Sequence, residues 1–449
     1  MEICSVGGFE EVGKNMTAIK VGEDVFLFDA GVHLPAVIEM QEAGQQNYTE
    51  KQLRKSGGIP NDLVLDQLGW TDKVRAIIVG HAHLDHIGAV PYLAHRYPKA
   101  EILASPFSMA FLETILKDEK FHMRNKRRTA KENSRITVKG KSETYKIDFI
   151  HTTHSTIQCS FLALHTKEGI FFYALDFKLD NHPVLGNPPN YKKLREIGRK
   201  GVKLLVVNAM ESGREGRTPS ERIVRNLLED AFSYARGKKS ALFITTFSSH
   251  IARLKSIVDF GQKTNRRIIF LGRSLSKYIE CATKANMCPF RNKIQLVKYR
   301  GQVNSILKKI EANRGKYLVV CTGHQAEENS ILDRIVKGDT PFHFRPKDNL
   351  IFSSKTIPVP INMAAREKLD KKLNKQGVRL QKNIHVSGHC SREEIRDLIE
   401  ILNPEHIIPG HGSTQQLTPM IELARELGYK ASKGCHLMQD GQTLKLENE

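Results

Sequence analysis

The chain has 449 residues, of which 40% are hydrophobic, and its mean hydropathy is −0.38. This size allows two or three domains, or one large fold with an insertion. The sequence has no run of about 18 apolar residues, which argues against a membrane-spanning helix. Residues Met1–Gly8 also lack the charged-then-apolar pattern of a secretory signal. We therefore expect a cytoplasmic protein.

The 69 lysines and arginines outnumber the 49 acidic residues, which gives a net charge of +20. A positive field of this size favours a polyanionic partner such as nucleic acid, although charge alone is equally compatible with simple solubility. The seven cysteines are irregularly spaced and form no C-x-x-C pair. This pattern is typical of reduced thiols rather than of a disulfide framework or a zinc ribbon. Histidine and aspartate would therefore have to hold any bound metal.

Short apolar runs recur along the chain, and the first four lead into polar residues that could carry chemistry. These runs and the residues after them are Val25–Phe28 before Asp29, Ala76–Val79 before His81, Ile147–Ile150 before His151 and His154, and Ile170–Leu175 before Asp176. Further runs are Leu204–Val207, Ala241–Ile244, Arg267–Leu271, Tyr317–Val320, Leu350–Phe352, Ile384–Val386 and His406–Ile408. Continuous apolar runs of this length indicate strands buried on both faces.

Helical stretches lie between these strands, and three of them are Pro219–Arg236, Ser391–Ile401 and Thr418–Leu427. The alternation predicts an α/β fold, in which ligands bind outside the carboxyl ends of the strands. Two polar, poorly periodic segments, Gly198–Gly201 and Asn362–Lys375, suggest crossings between domains. We therefore predict a first domain formed by residues 1–200 and 369–449, with residues 201–368 inserted into it.

The strongest chemical signal is the H-x-H-x-D-H pattern formed by residues 81–86. Three imidazoles and one carboxylate follow a buried strand within six residues and cannot all face a core. These ligands suit zinc, and alternating side chains from one loop can serve two adjacent ions. The remaining ligands must come from other strand ends, where the candidates are His154, Asp176 and His411.

This set strongly resembles the metallo-β-lactamase superfamily. The resemblance implies an αββα sandwich in which His81, His83 and His154 hold one metal, Asp85, His86 and His411 hold the other, and Asp176 bridges them. It also implies that Asp29 is a buried aspartate bracing the metal loop. His151 and His165 lie off the motif and are interpreted as structural. The metal pattern by itself fits hydrolysis of a phosphodiester, a thioester or a lactam.

The long separation of Asp176 from His411 resembles the inserted α/β domain of the β-CASP branch, whose members cut nucleic acids. Three landmarks fit that branch: Glu211 as motif A, His250 as motif B and His389 as motif C. Hydroxyl and backbone N–H groups at strand-to-helix turns form anion cradles, and His389 or His250 could protonate a leaving 3′-oxygen. We predict RNA contacts at His385, Val386, Ser387, Gly388, His389, Phe247, Ser248, Ser249, Arg273 and Ser354.

Within this branch the chain resembles the ribonuclease J family in its archaeal form. The segments that carry the likeness are Gly7–Asn15, Asp176–Lys178, Thr322–Glu327, Ser353–Pro358 and His385–His389. Glu211-Ser212-Gly213 departs from the Asp-Ser-Thr usual in bacterial members, and the segment from Ile357 to Pro360 lacks their glycine. The additional C-terminal domain of bacterial members is also missing, which puts their mode of assembly in doubt here. The basic run Arg124–Arg128 is interpreted as a solvated face or as a track for phosphates.

The resemblance implies an RNA phosphodiester hydrolase that degrades or processes single-stranded RNA. We expect a 5′-to-3′ exonuclease favouring 5′-monophosphate ends and using two Zn²⁺, or Mn²⁺ or Mg²⁺, to activate a hydroxide. The expected catalytic residues are Asp85, His389, His250 and Glu211, and the expected assembly is a homodimer. The alternatives are a cleavage-factor-type endoribonuclease, a catalytically silent RNA-binding scaffold and a small-molecule metallohydrolase.

Overall fold

A computed structural model describes residues 1–42, 48–141, 143–235, 239–357 and 360–446. Of the sequence features quoted above, Arg236, Pro358 and Val359 lie outside these ranges. The chain forms two compact units: residues 1–180, 188–218 and 388–449 form the first, and residues 181–187 and 219–387 form the second. The main divisions therefore follow residues 218 and 387, whereas the sequence placed them after residues 200 and 368.

Strand pairing explains this difference in the position of the divisions. The strand Val202–Asn208 pairs with Gly169–Ala174 and with His406–Gly410, so it belongs to the first unit. The strand Arg379–Gln381 pairs with Asn349–Phe352, so it belongs to the second. Strands and α-helices are numbered below in chain order.

Two sheets form the first unit. The first sheet has the order β19-β1-β2-β3-β4-β5-β6, and its strands are β1 Glu2–Gly7, β2 Met16–Val21, β3 Asp24–Phe28, β4 Val74–Ile78, β5 Glu101–Ala104, β6 Arg127–Thr129 and β19 Gln442–Lys445. The second sheet has the order β18-β11-β10-β9-β8-β7, and its strands are β7 Ser134–Lys139, β8 Thr144–His151, β9 Ser160–Thr166, β10 Gly169–Ala174, β11 Val202–Asn208 and β18 His406–Gly410.

The apolar faces of the two sheets share one core, where the rings of Phe28 and Phe171 meet edge to face at 4.7 Å. The other face of the second sheet packs against helices. The helices of this unit are α1 Leu34–Glu42, α2 Glu50–Lys55, α3 Val64–Gln67, α4 Leu84–Ile87, α5 Val90–Leu93, α6 Pro106–Asp118, α7 Tyr191–Lys200, α14 Arg392–Leu402, α15 Thr414–Leu417 and α16 Pro419–Glu426. Helix α6 packs on β5, which completes the four layers and confirms the predicted αββα sandwich.

The second unit is a parallel α/β sheet inserted in the sequence of the first. Its strand order is β14-β13-β15-β12-β16-β17, and the strands are β12 Leu242–Thr245, β13 Arg267–Leu271, β14 Ile294–Val297, β15 Tyr317–Cys321, β16 Asn349–Phe352 and β17 Arg379–Gln381. Its helices are α8 Glu221–Tyr234, α9 Ile251–Lys263, α10 Arg273–Lys284, α11 Arg300–Ala312, α12 Ile331–Lys337 and α13 Pro360–Lys375. The predicted α/β insertion is confirmed.

Within the described ranges, no helix is both long enough and apolar enough to cross a membrane. All seven cysteines are free, and six of them are buried. This arrangement agrees with the prediction that histidine and aspartate, rather than cysteine, supply any metal ligands.

Candidate metal centre

The H-x-H-x-D-H segment begins in the turn that follows the buried strand β4 and continues into α4, which contains Asp85 and His86. His81 and His83 point to one group of ligand atoms, which His154 and Asp176 complete; these atoms all lie within 4.8 Å of one another. His154 follows β8, and its Nε2 lies 3.1 Å from His83 Nδ1. Side chains that are far apart in sequence therefore meet at one point, as the strand-end argument predicted.

A second group contains Asp85, His86 and His411, again with ligand atoms within 4.8 Å of one another. Asp176 lies against both groups. Its Oδ2 is 3.3 Å from His154 Nε2 and 3.3 Å from His86 Nε2, and its Oδ1 is 3.6 Å from His411 Nε2. One carboxylate thus stands where it can serve two ions.

Hydrogen bonds hold the imidazoles by their outer nitrogens. Asp29 is buried at the end of β3 and accepts from His86 Nδ1 at 2.7 Å and from the hydroxyl of Tyr173 at 2.9 Å. The carbonyl oxygen of Gly388 accepts from His154 Nδ1 at 2.7 Å. These contacts direct the Nε2 atoms of His86 and His154 towards the ligand groups.

Asn15 also orients the cluster, although its residue type did not mark it as a site residue in the sequence. Its Oδ1 accepts from His411 Nδ1 at 2.9 Å, and its Nδ2 donates to the carbonyl oxygen of Asp85 at 3.0 Å. Gly31 also packs closely against the metal loop, because a Cβ added there would lie 1.6 Å from the carbonyl oxygen of Asp85. A side chain at position 31 would therefore displace the metal loop.

Electrostatics set the protonation states of these side chains before a metal binds. His81 is neutral and Asp176 is ionised, as metal binding requires, whereas His86 holds a proton that a metal would have to displace. Burial, with the neighbouring His86, lowers the pKa of His81 well below the ordinary histidine value. Burial opposes ionisation of Asp176, but His411 and His86 hold its pKa well below the usual carboxyl range. Burial also disfavours charge on His86, but the carboxylates of Asp176 and Asp85 raise its pKa well above the ordinary value.

The donor set fits a pair of divalent ions. His81 Nε2 is buried and has no hydrogen-bond partner in the described part of the chain, although it lies 3.4 Å from Asp176 Oδ2. A buried imidazole nitrogen left in this state is costly unless a ligand contacts it. Histidine with aspartate is also the ligand combination typical of hydrolytic zinc sites. The cluster is therefore compatible with metal binding.

His389, the predicted motif C residue, lies beside this cluster, with its Nδ1 3.7 Å from Asp176 Oδ1. A fully buried amide, Asn208, joins the two: its Nδ2 is 3.1 Å from Asp176 Oδ1 and 3.2 Å from His389 Nδ1. Glu211, the predicted motif A residue, forms an ion pair with Arg214 at 2.9 Å. Asn208 ends β11 and could have been found by the strand-end rule that selected the metal ligands.

His250, the predicted motif B residue, belongs to a buried network of the second unit. Its Nε2 lies 3.4 Å from Glu221, which pairs with the fully buried Arg253. Burial opposes ionisation of Glu221, but Arg253 and His250 hold its pKa well below the usual range. The guanidinium also donates to the carbonyl oxygen of Ser353 at 2.7 Å. His250 is therefore tied into a structural network, and its catalytic role stays a prediction.

Other predicted RNA contacts lie at the carboxyl edge of the parallel sheet in the second unit. Ser354 Oγ and His324 Nδ1 are buried and have no hydrogen-bond partner among the described residues. The ring of Phe247 lies 4.4 Å from that of His324. Arg273 is exposed in the first turn of α10, where Gly272 provides no side-chain cap. The second unit also contains Ser248, Ser249, His385, Val386 and Ser387, and the first contains Gly388 and His389.

Three features outside the cluster agree with structural interpretations. His151 contacts Glu132 at 2.5 Å, and His165 contacts Asp148 at 2.9 Å. In the basic run Arg124–Arg128, the side chains of residues 126 and 128 both pair with Glu101. Part of that run is thus already neutralised.

Family models and curated relatives place the chain in the same group of proteins. Residues 239–389 match the family model for the ribonuclease J β-CASP domain, residues 377–433 match a Zn-dependent metallo-hydrolase RNA specificity domain, and residues 10–157 match the metallo-β-lactamase superfamily. A ribonuclease J of Pyrococcus abyssi is 39% identical over 99% of this chain and 97% of its own length. A ribonuclease J of Methanocaldococcus jannaschii is 37% identical over 100% of this chain and 99% of its own length.

A solved structure agrees at the level of the fold. The crystal structure of a protein of unknown function from Enterococcus faecalis V583 matches with a TM-score of 0.64, covering 99% of both chains at 16% identity. At this identity the likeness extends to the fold alone.

Proposed function

Because the chain belongs to the ribonuclease J family and is therefore an RNA-hydrolysing enzyme, we propose that it degrades single-stranded RNA mainly as a 5′-to-3′ exonuclease. The observation that carries the proposal is the position of Asp176. Its carboxylate belongs to one group of ligand atoms with His81, His83 and His154 and to another with His389 and His411, each within 4.8 Å, and its Oδ2 also lies 3.3 Å from His86 Nε2. We propose zinc as the metal, held by His81, His83 and His154 in one site and by Asp85, His86 and His411 in the other. Two bound divalent ions would supply an acidified water and neutralise charge on the phosphate oxygens.

The protein's own residues would position the scissile phosphate and move the protons. Asp85 is the partly exposed carboxylate of the cluster, with 21% of its side chain accessible, and can accept a proton from the attacking water. The Asn208 amide donates to Nδ1 of His389, which leaves the proton of the neutral ring on Nε2. That Nε2–H would donate a hydrogen bond to the leaving 3′-oxygen, which takes its proton from solvent. Burial lowers the pKa of His389 to about 3, which is consistent with a neutral ring.

Recognition of the RNA is proposed for the sheet edge of the second unit. We propose that the buried Ser354 hydroxyl and the His324 imidazole, whose Nδ1 also lies 3.5 Å from Glu327 Oε1, bind a phosphate together with the start of the helix that carries Arg273. Ser354 Oγ and His324 Nδ1 supply the buried polar atoms. We propose that a 5′-terminal monophosphate binds there, which would give the enzyme its preference among 5′ ends. A cytoplasmic homodimer belongs to the same proposal, and light scattering after size-exclusion chromatography tests its mass.

The experiment uses 3′-labelled single-stranded RNA carrying either a 5′-monophosphate or a 5′-triphosphate, with Asp85→Ala as the inactive control. The proposal predicts loss of full-length monophosphorylated RNA without labelled intermediates, and slower decay of the triphosphorylated copy. A ladder of internal fragments that ignores the 5′ end would instead establish an endonuclease. Decay that is unaffected by Asp85→Ala would exclude the proposed site.

A further inference from the structure

Arg334 is a buried cation with little to neutralise it. It lies in α12, is 8% exposed, and its Nε has no hydrogen-bond partner among the described residues. Its Nη2 donates to Asn304 Oδ1 at 3.3 Å. The carboxylate one residue before it, Asp333, is engaged with Lys337. An arginine in this state is unusual, because buried guanidinium groups are normally paired.

The charge with the largest effect on the pKa of Arg334 is positive. Burial and then the positive charge of Arg300 lower the pKa of Arg334, and the opposing effect of Asp339 is smaller. Arg300 is exposed and begins α11. Since Arg300 and Asn304 are four residues apart in one helix, they lie on the same side of it. Two guanidinium groups therefore converge beside the first turns of α11.

The start of α11 adds donors to this positive region. Tyr299 occupies the N-cap and provides no side-chain hydrogen bond, and the first turn contains no acidic residue. The helical hydrogen bonding of α11 begins with the backbone amide of Val303, which donates to the carbonyl oxygen of Tyr299 at 2.9 Å. A Cβ placed on Gly301 would meet nothing within 4 Å, so the first turn is open. Open amides at a helix N-terminus favour an anion.

We propose that Arg300, Arg334 and the first turn of α11 form a phosphate-binding site that holds a phosphodiester group of the RNA. α11 follows β14 directly, so this turn lies at the carboxyl edge of the parallel sheet, where such folds bind ligands. Tyr299 is 63% exposed immediately before the helix and provides a surface on which a base can stack. The inference rests on RNA being the substrate, but not on the direction of hydrolysis.

The test measures binding separately from cleavage. The probe is a fluorescent, 2′-O-methyl, phosphorothioate-linked RNA of about 20 nucleotides, which resists hydrolysis, and the readout is its Kd by fluorescence anisotropy at several salt concentrations. Arg334→Met replaces the buried cation, and Arg300→Gln changes an exposed residue at the start of α11. Lys284→Gln, an exposed change at the far end of α10, is the matched control.

We expect Arg300→Gln and Arg334→Met each to weaken binding about tenfold and to reduce the salt slope by about one, as loss of a phosphate contact does. The Kd of Lys284→Gln for this probe should stay within about twofold of the wild-type value. The Kd of a four-nucleotide probe should likewise differ by no more than about twofold between each variant and the wild type. If both arginine variants match the control, no phosphate is bound there. If millimolar inorganic phosphate raises the Tm of the wild type alone while RNA affinity is unchanged, the site takes free phosphate and the RNA assignment is wrong.

These outcomes can be distinguished from failure of the proposed exonuclease activity. Product analysis on hydrolysable RNA decides the direction of cleavage, whereas the Kd of the resistant probe decides the phosphate site. If the enzyme is an endonuclease and the arginine variants bind RNA more weakly, the phosphate site is supported and the proposed 5′-to-3′ direction is wrong. If it is an exonuclease and the variants bind RNA like the wild type, the direction is supported and the phosphate site is wrong.

Discussion

The amide of Asn208 lies 3.2 Å from His389 Nδ1, and the same Nδ2 atom lies 3.1 Å from Asp176 Oδ1. One buried side chain thus connects the carboxylate that lies against both ligand groups with the imidazole proposed to hydrogen-bond the leaving oxygen. Its own Oδ1 accepts from the backbone amide of Met210 at 3.1 Å, which fixes the orientation of the amide. Asn208 therefore sets the ring position and the tautomer of His389.

Asn208→Ala should lower kcat for RNA hydrolysis by about 10- to 100-fold, the usual effect of losing a residue that orients a metal site. Metal affinity should also fall, because Asn208 donates to Asp176, which lies against both ligand groups. The comparison is Glu211→Gln, which should remain within about twofold because its ion pair with Arg214 is partly exposed. A large loss in Glu211→Gln with little in Asn208→Ala would support the catalytic role that the sequence predicts for Glu211.

The side chains of the histidine and aspartate cluster could be brought together from sequence because each follows an apolar strand or forms part of one compact pattern. Asp176 after β10 and His411 after β18 are examples. Asn208 was missed because an amide has no chemistry of its own that marks it, and its role depends on which side chains the fold brings beside it. The Gly388 carbonyl that orients His154 could not be found either, since a backbone acceptor leaves no trace in residue type.

The positions of the domain divisions could not be predicted from the sequence either, because they also depend on which elements the fold brings together. The polar segment at Gly198–Gly201 contains the end of α7 and the turn into β11, which continues the second sheet of the first unit. Local polarity identified a surface turn, but the pairing of β11 with β10 and β18 decides where that strand belongs. Long-range strand pairing of this kind is not encoded in a short window of sequence.

Asp29→Asn tests how the second ligand group is held. Asparagine tolerates the left-handed backbone of residue 29, which has φ of 61°, but it replaces an acceptor facing His86 Nδ1 and the Tyr173 hydroxyl with a donor. We expect about 10- to 100-fold weaker metal binding and activity. Tyr173→Phe, which leaves the His86 contact in place, should have a smaller effect. Equal losses in the two variants would mean that Asp29 acts through general packing.

Metal removal should destabilise the first unit. Ligands that bind only the folded state stabilise it, by about 2.7 kcal/mol at a free concentration of one hundred times Kd. Chelation should therefore lower the Tm and abolish RNA hydrolysis, and added Zn²⁺ should reverse both. His81→Ala should retain about half of the bound metal, measured by plasma mass spectrometry. An unchanged Tm and undiminished activity after exhaustive chelation would show that the cluster is not a functional metal site.

Asp440 gives a prediction for pH. Burial raises the pKa of its carboxyl to about 6 from the ordinary value of 3.8, even though the Phe9 amide donates to it at 2.9 Å and Lys14 lies 3.4 Å away. A raised pKa means that the folded state binds this proton more tightly than the unfolded state does. The protonated Asp440 carboxyl therefore stabilises the folded state fully below about pH 4, and this contribution is lost as the pH rises through about 6. The difference of about two pKa units corresponds to about 3 kcal/mol.

Asp440→Asn keeps an oxygen for the Phe9 amide and removes the charge, while Lys14 retains its partner Glu11. The Tm difference between this variant and the wild type should therefore grow in favour of the variant from pH 4 to pH 7. Thermal unfolding followed by circular dichroism at both pH values measures it. A constant difference across this interval would show that the carboxyl is not perturbed.

The most direct test of the account is the origin of the oxygen in the cleaved phosphate. RNA is hydrolysed in H₂¹⁸O, and the products are analysed by mass spectrometry for the wild type, for the chelated protein and for Asp85→Ala. Attack of water on phosphorus with departure of the 3′-oxygen predicts ¹⁸O in each newly formed 5′-phosphate, and no product from the chelated protein or the variant. Products with 2′,3′-cyclic phosphates and no ¹⁸O, or cleavage that survives chelation, would contradict it.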